Sequence, residues 1–320
     1  MVRLRLVFLG TPSFAAAALE RLFRSSHTVA GVVTQPDRPR GRGQKLSAAP
    51  VKEFALARGV PVLQPERLKT SEFRGQLADV HPDLGVVAAY GRILPDDIIA
   101  VPRLGMINIH ASILPRYRGA APVHRAVIAG ETETGVSIMR VVRELDAGGV
   151  FAIARRPIGP DETSVDVERG LAAIGAELCA QVIDDLAAGT ARETPQDDAR
   201  ATYAPRLTKE EGIIDWRQPA AALHNLVRGL HSWPHAQARI SGTRLLILRT
   251  AVVSDPPRSR TPGEILEAHG DDLIVAAGEA ALKLVQVQPE GRRAMRAREF
   301  LAGRRLRPGD AFDRAPEPAR

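Results

Sequence analysis

Asn108 and His110 stand two residues apart in the apolar run Met106-Ile107-Asn108-Ile109-His110. Side chains of a β-strand alternate between faces, so this spacing puts the amide and the imidazole side by side on one face and the isoleucines on the other. The amide offers a donor, and the imidazole a group that titrates near neutrality. Ser112 and Pro115 follow and break a strand. The pair therefore falls near the carboxyl edge of a sheet, where open α/β folds place their ligands. A polar pair satisfied by backbone hydrogen bonds inside a core would look the same. A third group, Asp146, lies in the glycine-closed stretch Val142 to Gly149, and a carboxylate facing an imidazole fixes its tautomer. On its own it is one acid among 37.

The elements that would position these groups read as alternating strands and helices. Leu4 to Leu9 is a near-continuous apolar run, Gly10-Thr-Pro-Ser13 a tight turn and Phe14 to Phe23 an alanine-rich helix, the opening unit of a parallel α/β sheet. That turn has one glycine and does not match G-x-G-x-x-G, which argues against a nicotinamide or flavin site. Further strands are expected at Thr28 to Thr34, Val60 to Leu63 (an edge), Leu84 to Ala89, Val136 to Met139 and Phe151 to Ala154. Helices are expected at Val51 to Arg58, Phe73 to Val80, from Ala120 to Ala129, and over the long stretch from Thr163 to Ala188.

Gln35 to Pro50 contains three prolines and two glycines among Arg38, Arg40, Arg42 and Lys45, so no regular element is expected there. Four cations beside one acid, Asp37, suit a contact with a phosphate backbone; a solvated surface loop fits equally well. Thr190 to Lys209 is polar with two prolines and reads as a linker, which divides the chain into an α/β domain over 1–189, a linker over 190–209 and a second domain over 210–320. In the last, a helix near Ala220 to Gly229 precedes short alternating runs at Ala236 to Ile240, Leu245 to Leu248, Ile265 to Leu266, Leu273 to Ala276 and Leu282 to Val287. Such strands suggest a small barrel of the oligonucleotide-binding type. Arg292 to Arg307 carries seven arginines against the single acid Glu299, as a solvated helix face or as an RNA contact, and the tail beyond Pro308 is expected to fray.

Composition narrows the classes. At 320 residues and 44% hydrophobic content the chain has the apolar content of a two-domain globular protein. A single cysteine, Cys179, excludes a disulfide framework and a cysteine-based zinc cluster. No run of about 18 apolar residues could span a bilayer, and the N-terminus lacks a cleavable signal pattern, so a cytoplasmic protein is expected. The net charge of +7 and pI of about 10.1 favour a polyanionic partner, although an arginine-rich chain would also follow from a GC-rich genome.

Taken in order, the residues resemble one family, the methionyl-tRNA formyltransferases. The shared set runs Gly10-Thr-Pro-X-Phe14, Thr34-Gln-Pro-Asp-Arg-Pro39, Gly41-Arg-Gly43 with Lys45-Leu46, Ala89-Tyr-Gly91, Ile93-Leu-Pro95 and Asn108-X-His110. It continues through Ser112 to Pro122, Glu133-Thr-Gly-Val136, Leu145-Asp146, Tyr203-Ala204, Lys209-Glu-Glu211, Ile214-Asp-Trp216 and Trp233-Pro234. Single motifs in this set are weak, whereas the ordered set is specific. The chain departs from many relatives at Ala111, Ile113, Gln44 and Ala147, of which only Gln44 bears on function, since it removes one cation from the basic loop.

The resemblance implies a Rossmann-like formyltransferase domain followed by an OB-like β-barrel, with transfer of a formyl group from 10-formyltetrahydrofolate to the α-amino group of initiator methionyl-tRNA. It implies catalytic roles for Asn108, His110 and Asp146, and a folate site made of Ser112, Ile113, Leu114 and Pro115 with Ala88, Ala89, Tyr90, Ile93 and Leu94. Contacts to methionyl-tRNA would come from Phe14, Arg38, Arg42 and Lys45. No metal and no membrane attachment are implied, and a monomer is expected. Glycinamide ribonucleotide formyltransferase and the hydrolase domain of folate dehydrogenases share the Asn-X-His and Asp pattern, but need neither the basic loop nor the barrel. Against a non-catalytic RNA-binding protein on a degenerate scaffold stand the three intact residues. Arg42→Ala is expected to weaken use of tRNA far more than use of folate; equal losses in the two apparent affinities would rule this role out.

Overall fold

The computed structural model describes residues 2–40, 45–255 and 261–313, with residues 39, 40, 45 and 46 described by backbone alone. The chain forms two compact units, the first from Met1–Pro122, Glu133–Pro157 and Glu168–Pro205, the second from Val123–Thr132, Ile158–Val167 and Arg206–Arg320.

The first unit begins with β1 (Arg5–Gly10), α1 (Ser13–Phe23) and β2 (Thr28–Val33). A two-stranded ribbon, β3 (Arg38–Arg40) and β4 (Lys45–Ser47), precedes α2 (Pro50–Leu56), β5 (Val62–Leu63), α3 (Ser71–Asp79), β6 (Leu84–Ala88) and α4 (Asp96–Ile99). Then come β7 (Met106–His110), β8 (Arg118–Gly119), α5 (Pro122–Ile128, all but its first residue in the second unit), β9 (Glu133–Arg140), β10 (Val150–Pro157), α6 (Ser164–Ala188) and β11 (Tyr203–Ala204). Seven strands make one sheet in the order β10-β9-β7-β6-β1-β2-β5, parallel from β5 to β7, with β9 and β10 added antiparallel. The parallel strands are apolar without interruption because helices cover both faces of such sheets.

From β1 the chain first builds outward through β2 and β5, then returns to β6 on the other side of β1. That reversal opens a crevice at the carboxyl ends of β1 and β6, the usual ligand position in such sheets. Gly10 pairs with Ala88 at this edge, and a Cβ on Gly10 would come within 2.6 Å of Ala15 Cβ, so glycine is what lets α1 start so close to the sheet. On β7, Met106 joins the cluster of Val7, Leu9, Phe73, Val87, Tyr90 and Leu94. Ile109, on the opposite side of the strand, meets α6 where Gly175 allows close approach: a Cβ there would lie 3.0 Å from the isoleucine. Asn108 and His110 thus share the Met106 side, at the strand's open end.

The second unit contains α7 (Ala220–Gly229) and a six-stranded antiparallel sheet of β12 (Ala236–Ile240), β13 (Thr243–Val253), β14 (Ile265–His269), β15 (Asp272–Ala276), β16 (Ala281–Pro289) and β17 (Met295–Arg296), followed by α8 (Ala297–Ala302). The order β12-β13-β16-β15-β14 leaves β12 and β14 as the two ends.

Three expectations are corrected. The basic segment holds the β3–β4 ribbon, with Arg38 opposite Ser47 and Arg40 opposite Lys45. Proline is compatible with a two-stranded ribbon because each strand keeps an open edge. The stretch 190–209 expected as a linker contains the boundary between the units, at Pro205/Arg206, but its residues up to 205 pair with the first unit: Thr194 exchanges backbone hydrogen bonds of 2.8 and 2.9 Å with Val150, and β11 pairs with β8. Nor do residues 309–313 fray; the rest of the tail expected to do so lies outside the described residues. Ile265 N donates to Asp310 O at 2.7 Å, Phe312 N to Gly263 O at 2.9 Å and Asp313 N to Arg239 O at 2.8 Å, so the tail lies between β14 and β12 and closes the barrel that the strand order alone leaves open. Phe312, 5% exposed, stacks on buried Trp216 at 4.9 Å between ring centroids. No local signal marks this closure, since the partners on both strands lie far away in sequence, Ile265 and Gly263 on the β14 side and Arg239 on the β12 side.

Both tryptophans of the chain, Trp216 and Trp233, belong to this unit, so their fluorescence reports its unfolding. Phe312→Ala should cost about 3 kcal/mol, the order expected for emptying a buried aromatic site; an unchanged fluorescence transition would show that the tail does not close the sheet.

Candidate active site at the carboxyl edge of the first sheet

β7 carries Asn108 opposite Val87 of β6 and His110 opposite Ser137 of β9. His110 is 5% exposed, with Nε2 at 2.9 Å from the Tyr117 carbonyl. A carbonyl only accepts, so Nε2 carries the hydrogen, and Nδ1 is the nitrogen that can exchange a proton. The oxygen facing Nδ1 is Asp146 Oδ2 at 3.6 Å, in a position that also accepts from Gly119 N at 2.8 Å. Asn108 is only partly buried, and its side-chain amide has no hydrogen-bond partner among the described residues. The structure therefore brings together all three residues singled out for catalysis: a donor left free, a buried imidazole and a carboxylate.

The loop bearing Asp146 is fixed by close packing. Asp146 adopts φ 51, a left-handed conformation costing a non-glycine residue roughly 1 kcal/mol. Arg140 N donates to Gly149 O at 2.8 Å, and a Cβ on Gly148 would sit 2.0 Å from Arg140 O.

The residues assigned to folate divide into support and surface. Ser112 is 1% exposed and its hydroxyl donates to Arg116 O at 2.6 Å, while Ser137 Oγ donates to Ser112 O at 2.7 Å and receives Leu114 N at 3.1 Å. Leu114 is buried against Met139 and Val150, and the Leu114–Pro115 bond is cis. Leu114 and Pro115 also line a cavity of about 310 Å³ with Val150 to Ile153 and Thr194 to Asp197. Of the loop after β6, Ala88, Tyr90 and Leu94 are buried, while Ala89 is exposed and Ile93 is 77% exposed. Gln35 Nε2 donates to Tyr90 O at 2.7 Å, and Arg92 donates to Pro65 O and Glu66 O, which brace this loop from behind. Burial pushes the Tyr90 phenol up to about 12, so the hydroxyl stays protonated, and it lacks a hydrogen-bond partner.

Phe14 is 6% exposed, in the first turn of α1. Arg38 is exposed on β3, Lys45 contributes the first residue of β4, and Arg42 lies outside the described residues. At the base of the ribbon, Asp37 receives Lys52 Nζ at 2.5 Å and Gln64 Nε2 at 3.0 Å, and these hydrogen bonds hold its carboxyl below the usual range. The one acid of the segment is thereby committed to Lys52 and Gln64. Arg118, Gln196 and Thr202 surround the site without having been singled out in the sequence. Tyr117 N donates to Thr202 Oγ1 at 2.9 Å, and Arg118, 4% exposed, pairs with Gln196 and with Asp198. Only the shared Tyr203-Ala204 motif pointed toward this segment.

Residues 4–183 match the formyl transferase family and residues 206–305 the C-terminal domain of formyl transferases. The sheet, its switch-point crevice and both matched domains make the chain a formyl transferase. Proteins named methionyl-tRNA formyltransferase from Geobacter metallireducens and Moorella thermoacetica are 44% and 46% identical to it, over 97% and 96% of this chain and 98% of each relative. The chain belongs to the methionyl-tRNA formyltransferase family. Solved structures share the fold at lower identity: WlaRD, a sugar 3N-formyl transferase, has a TM-score of 0.65 at 15% identity over 91% of this chain and 99% of that one. HypX from Aquifex aeolicus, solved in complex with tetrahydrofolic acid, has a TM-score of 0.64 at 18% identity over 93% of this chain and 47% of that one.

Gly148→Ala should displace the loop carrying Asp146 and cut turnover about 100-fold, as misplacement by an ångström commonly does, with circular dichroism unchanged. Wild-type turnover would contradict the packing described.

Proposed function

We infer that the chain transfers the formyl group of 10-formyltetrahydrofolate to the α-amino group of initiator methionyl-tRNA, with Asn108, His110 and Asp146 as its catalytic residues. The observation that carries the reading is their assembly at the crevice of a chain related over nearly its whole length to methionyl-tRNA formyltransferases. The folate supplies an activated formyl carbon. Attack by the neutral amine would turn the formyl oxygen into an oxyanion, which the unpaired Asn108 amide and the imidazole are suited to stabilise. His110 would relay the proton that the amine loses to the departing folate nitrogen, through Nδ1 because Nε2 is committed to Tyr117 O. Asp146 would orient the ring and favour positive charge on it during that relay.

Exposed Ile93 and Ala89 are the surfaces we assign to folate contact, with Ser112 to Pro115 shaping the floor through their bonds to Ser137. The basic ribbon, with Arg38, Arg42 and Lys45, would meet acceptor-stem phosphates, and Phe14 would help place the α1 end beside the aminoacyl group. No helix of the described residues is long and apolar enough to cross a membrane. All proposed catalytic groups come from one chain, and we propose that it acts as a cytoplasmic monomer without a metal.

Incubation with methionyl initiator tRNA and formyl donor should yield formylmethionyl-tRNA, and His110→Ala should lower turnover about 10³-fold, within the range of a lost proton-transfer group. Binding of tRNA without formylation by the wild type would refute the activity. Preferential formylation of free amino-nucleotides would refute the tRNA assignment.

A further inference from the structure

The geometry points to Gln196 as a positioning residue that sets the distance between His110 and Asp146. This rests on the reading of those two residues as catalytic. Gln196 lies in the segment fastened at one end by the Thr194–Val150 pair and at the other by β11 against β8. Its amide is fully used. Nε2 donates to Asp146 O at 2.7 Å and to Gly148 O at 2.8 Å, while Oε1 accepts from Arg118 Nε at 3.1 Å and from a terminal guanidinium nitrogen at 2.8 Å. The amide cannot be turned over, because its oxygen would then face two carbonyls and its nitrogen a guanidinium.

Each end of this amide serves one side of the imidazole–carboxylate pair. The nitrogen grips the carbonyls at 146 and 148, which flank the turn where Asp146 sits at φ 51; a strained conformation persists only where its surroundings over-determine it. The oxygen grips Arg118. The neighbours of Arg118 are Tyr117, whose carbonyl accepts His110 Nε2, and Gly119, whose N–H holds Asp146 Oδ2. A single side chain therefore ties the backbone that presents the carboxylate to the backbone that receives the imidazole. Only the carboxamides offer two donors and a doubly accepting oxygen, and asparagine is one methylene shorter. Glutamate would oppose two carbonyls with an anion, and methionine would fill the space without hydrogen bonds.

The test is a double-mutant cycle in turnover with saturating formyl donor and methionyl-tRNA, using the full chain. Gln196→Met should lower kcat about 30-fold, as expected for loosened positioning, and leave both KM values within about 2-fold, since no substrate contact is lost. In an Asp146→Asn background the same change should cost less than about 3-fold, because there is no longer a carboxylate to position. Gln196→Glu should lose turnover as well although it can still pair with Arg118. Thr70→Ala removes the cap on Phe73 N at the start of α3 and should lower the melting temperature without changing kcat. Equal losses from Gln196→Met in both backgrounds, a loss confined to KM, or unchanged kcat would each overturn the inference. A separate failure is recognisable: if Asp146→Asn alone turns over like the wild type, the catalytic reading falls and takes the role of Gln196 with it.

Discussion

The hydrogen bond from Gly119 N to Asp146 at 2.8 Å depends on backbone going where a side chain could not. Gly119 has φ 118, and a Cβ there would lie 2.8 Å from Ala204 O. The two-residue strand pair of Arg118–Gly119 with Tyr203–Ala204 can form only because that space is empty. From this narrow passage follow the neighbouring contacts: Tyr117 O meets His110, Gly119 N meets Asp146, and Arg118 is enclosed with Gln196 and Asp198. Strands too short to be stable alone are held by the groups they serve.

The division of work among the site residues follows from burial. Groups whose hydrogen bonds are all satisfied internally, such as Ser112, Ser137 and Arg118, hold shape. Groups left with unused capacity can meet a ligand. Asn108 is the clearest, with an amide that has no partner among the described residues, on the same strand face as His110. Tyr90 keeps an unsatisfied hydroxyl inside an apolar cluster, a condition that costs on the order of 1 to 3 kcal/mol unless something polar reaches it. Asp37, the one acid among residues 35–50, is likewise committed internally, to Lys52 and Gln64.

How much of this was readable before the fold was known depended on the range of the interactions. The period of two across Met106 to His110 placed Asn108 and His110 correctly, because strand alternation is local. The succession of strands and helices was equally local, and the strands of the two large sheets, β17 apart, fall where expected, whereas β3, β4, α4, β8 and β11 were not foreseen. Asp146 could be picked out only through the family resemblance, since nothing in its own neighbourhood marks it. Gln196 and Arg118 were out of reach: they meet across 78 residues, and Gln196 reaches Asp146 across 50. Polarity and prolines made 190–205 look like a tether, although its polar groups are spent on the site. The proline and glycine content of 35–50 concealed a ribbon for a related reason, because each strand needs only three residues and a partner a few positions away.

The placement of the closing segments sets an order for assembly on the ribosome. The strap from Thr194 to Ala204, which completes the imidazole–carboxylate site, is synthesised before the sequence from Arg206 onward. The segment from Gly309 to Asp313, which bridges β12 and β14, emerges after every strand that it joins. Domains folding as units during synthesis would therefore complete the first sheet and its strap while the second unit still lacks its final bridge. A nascent chain halted before Gly309 would hold an assembled set of candidate catalytic residues joined to a barrel that cannot yet close.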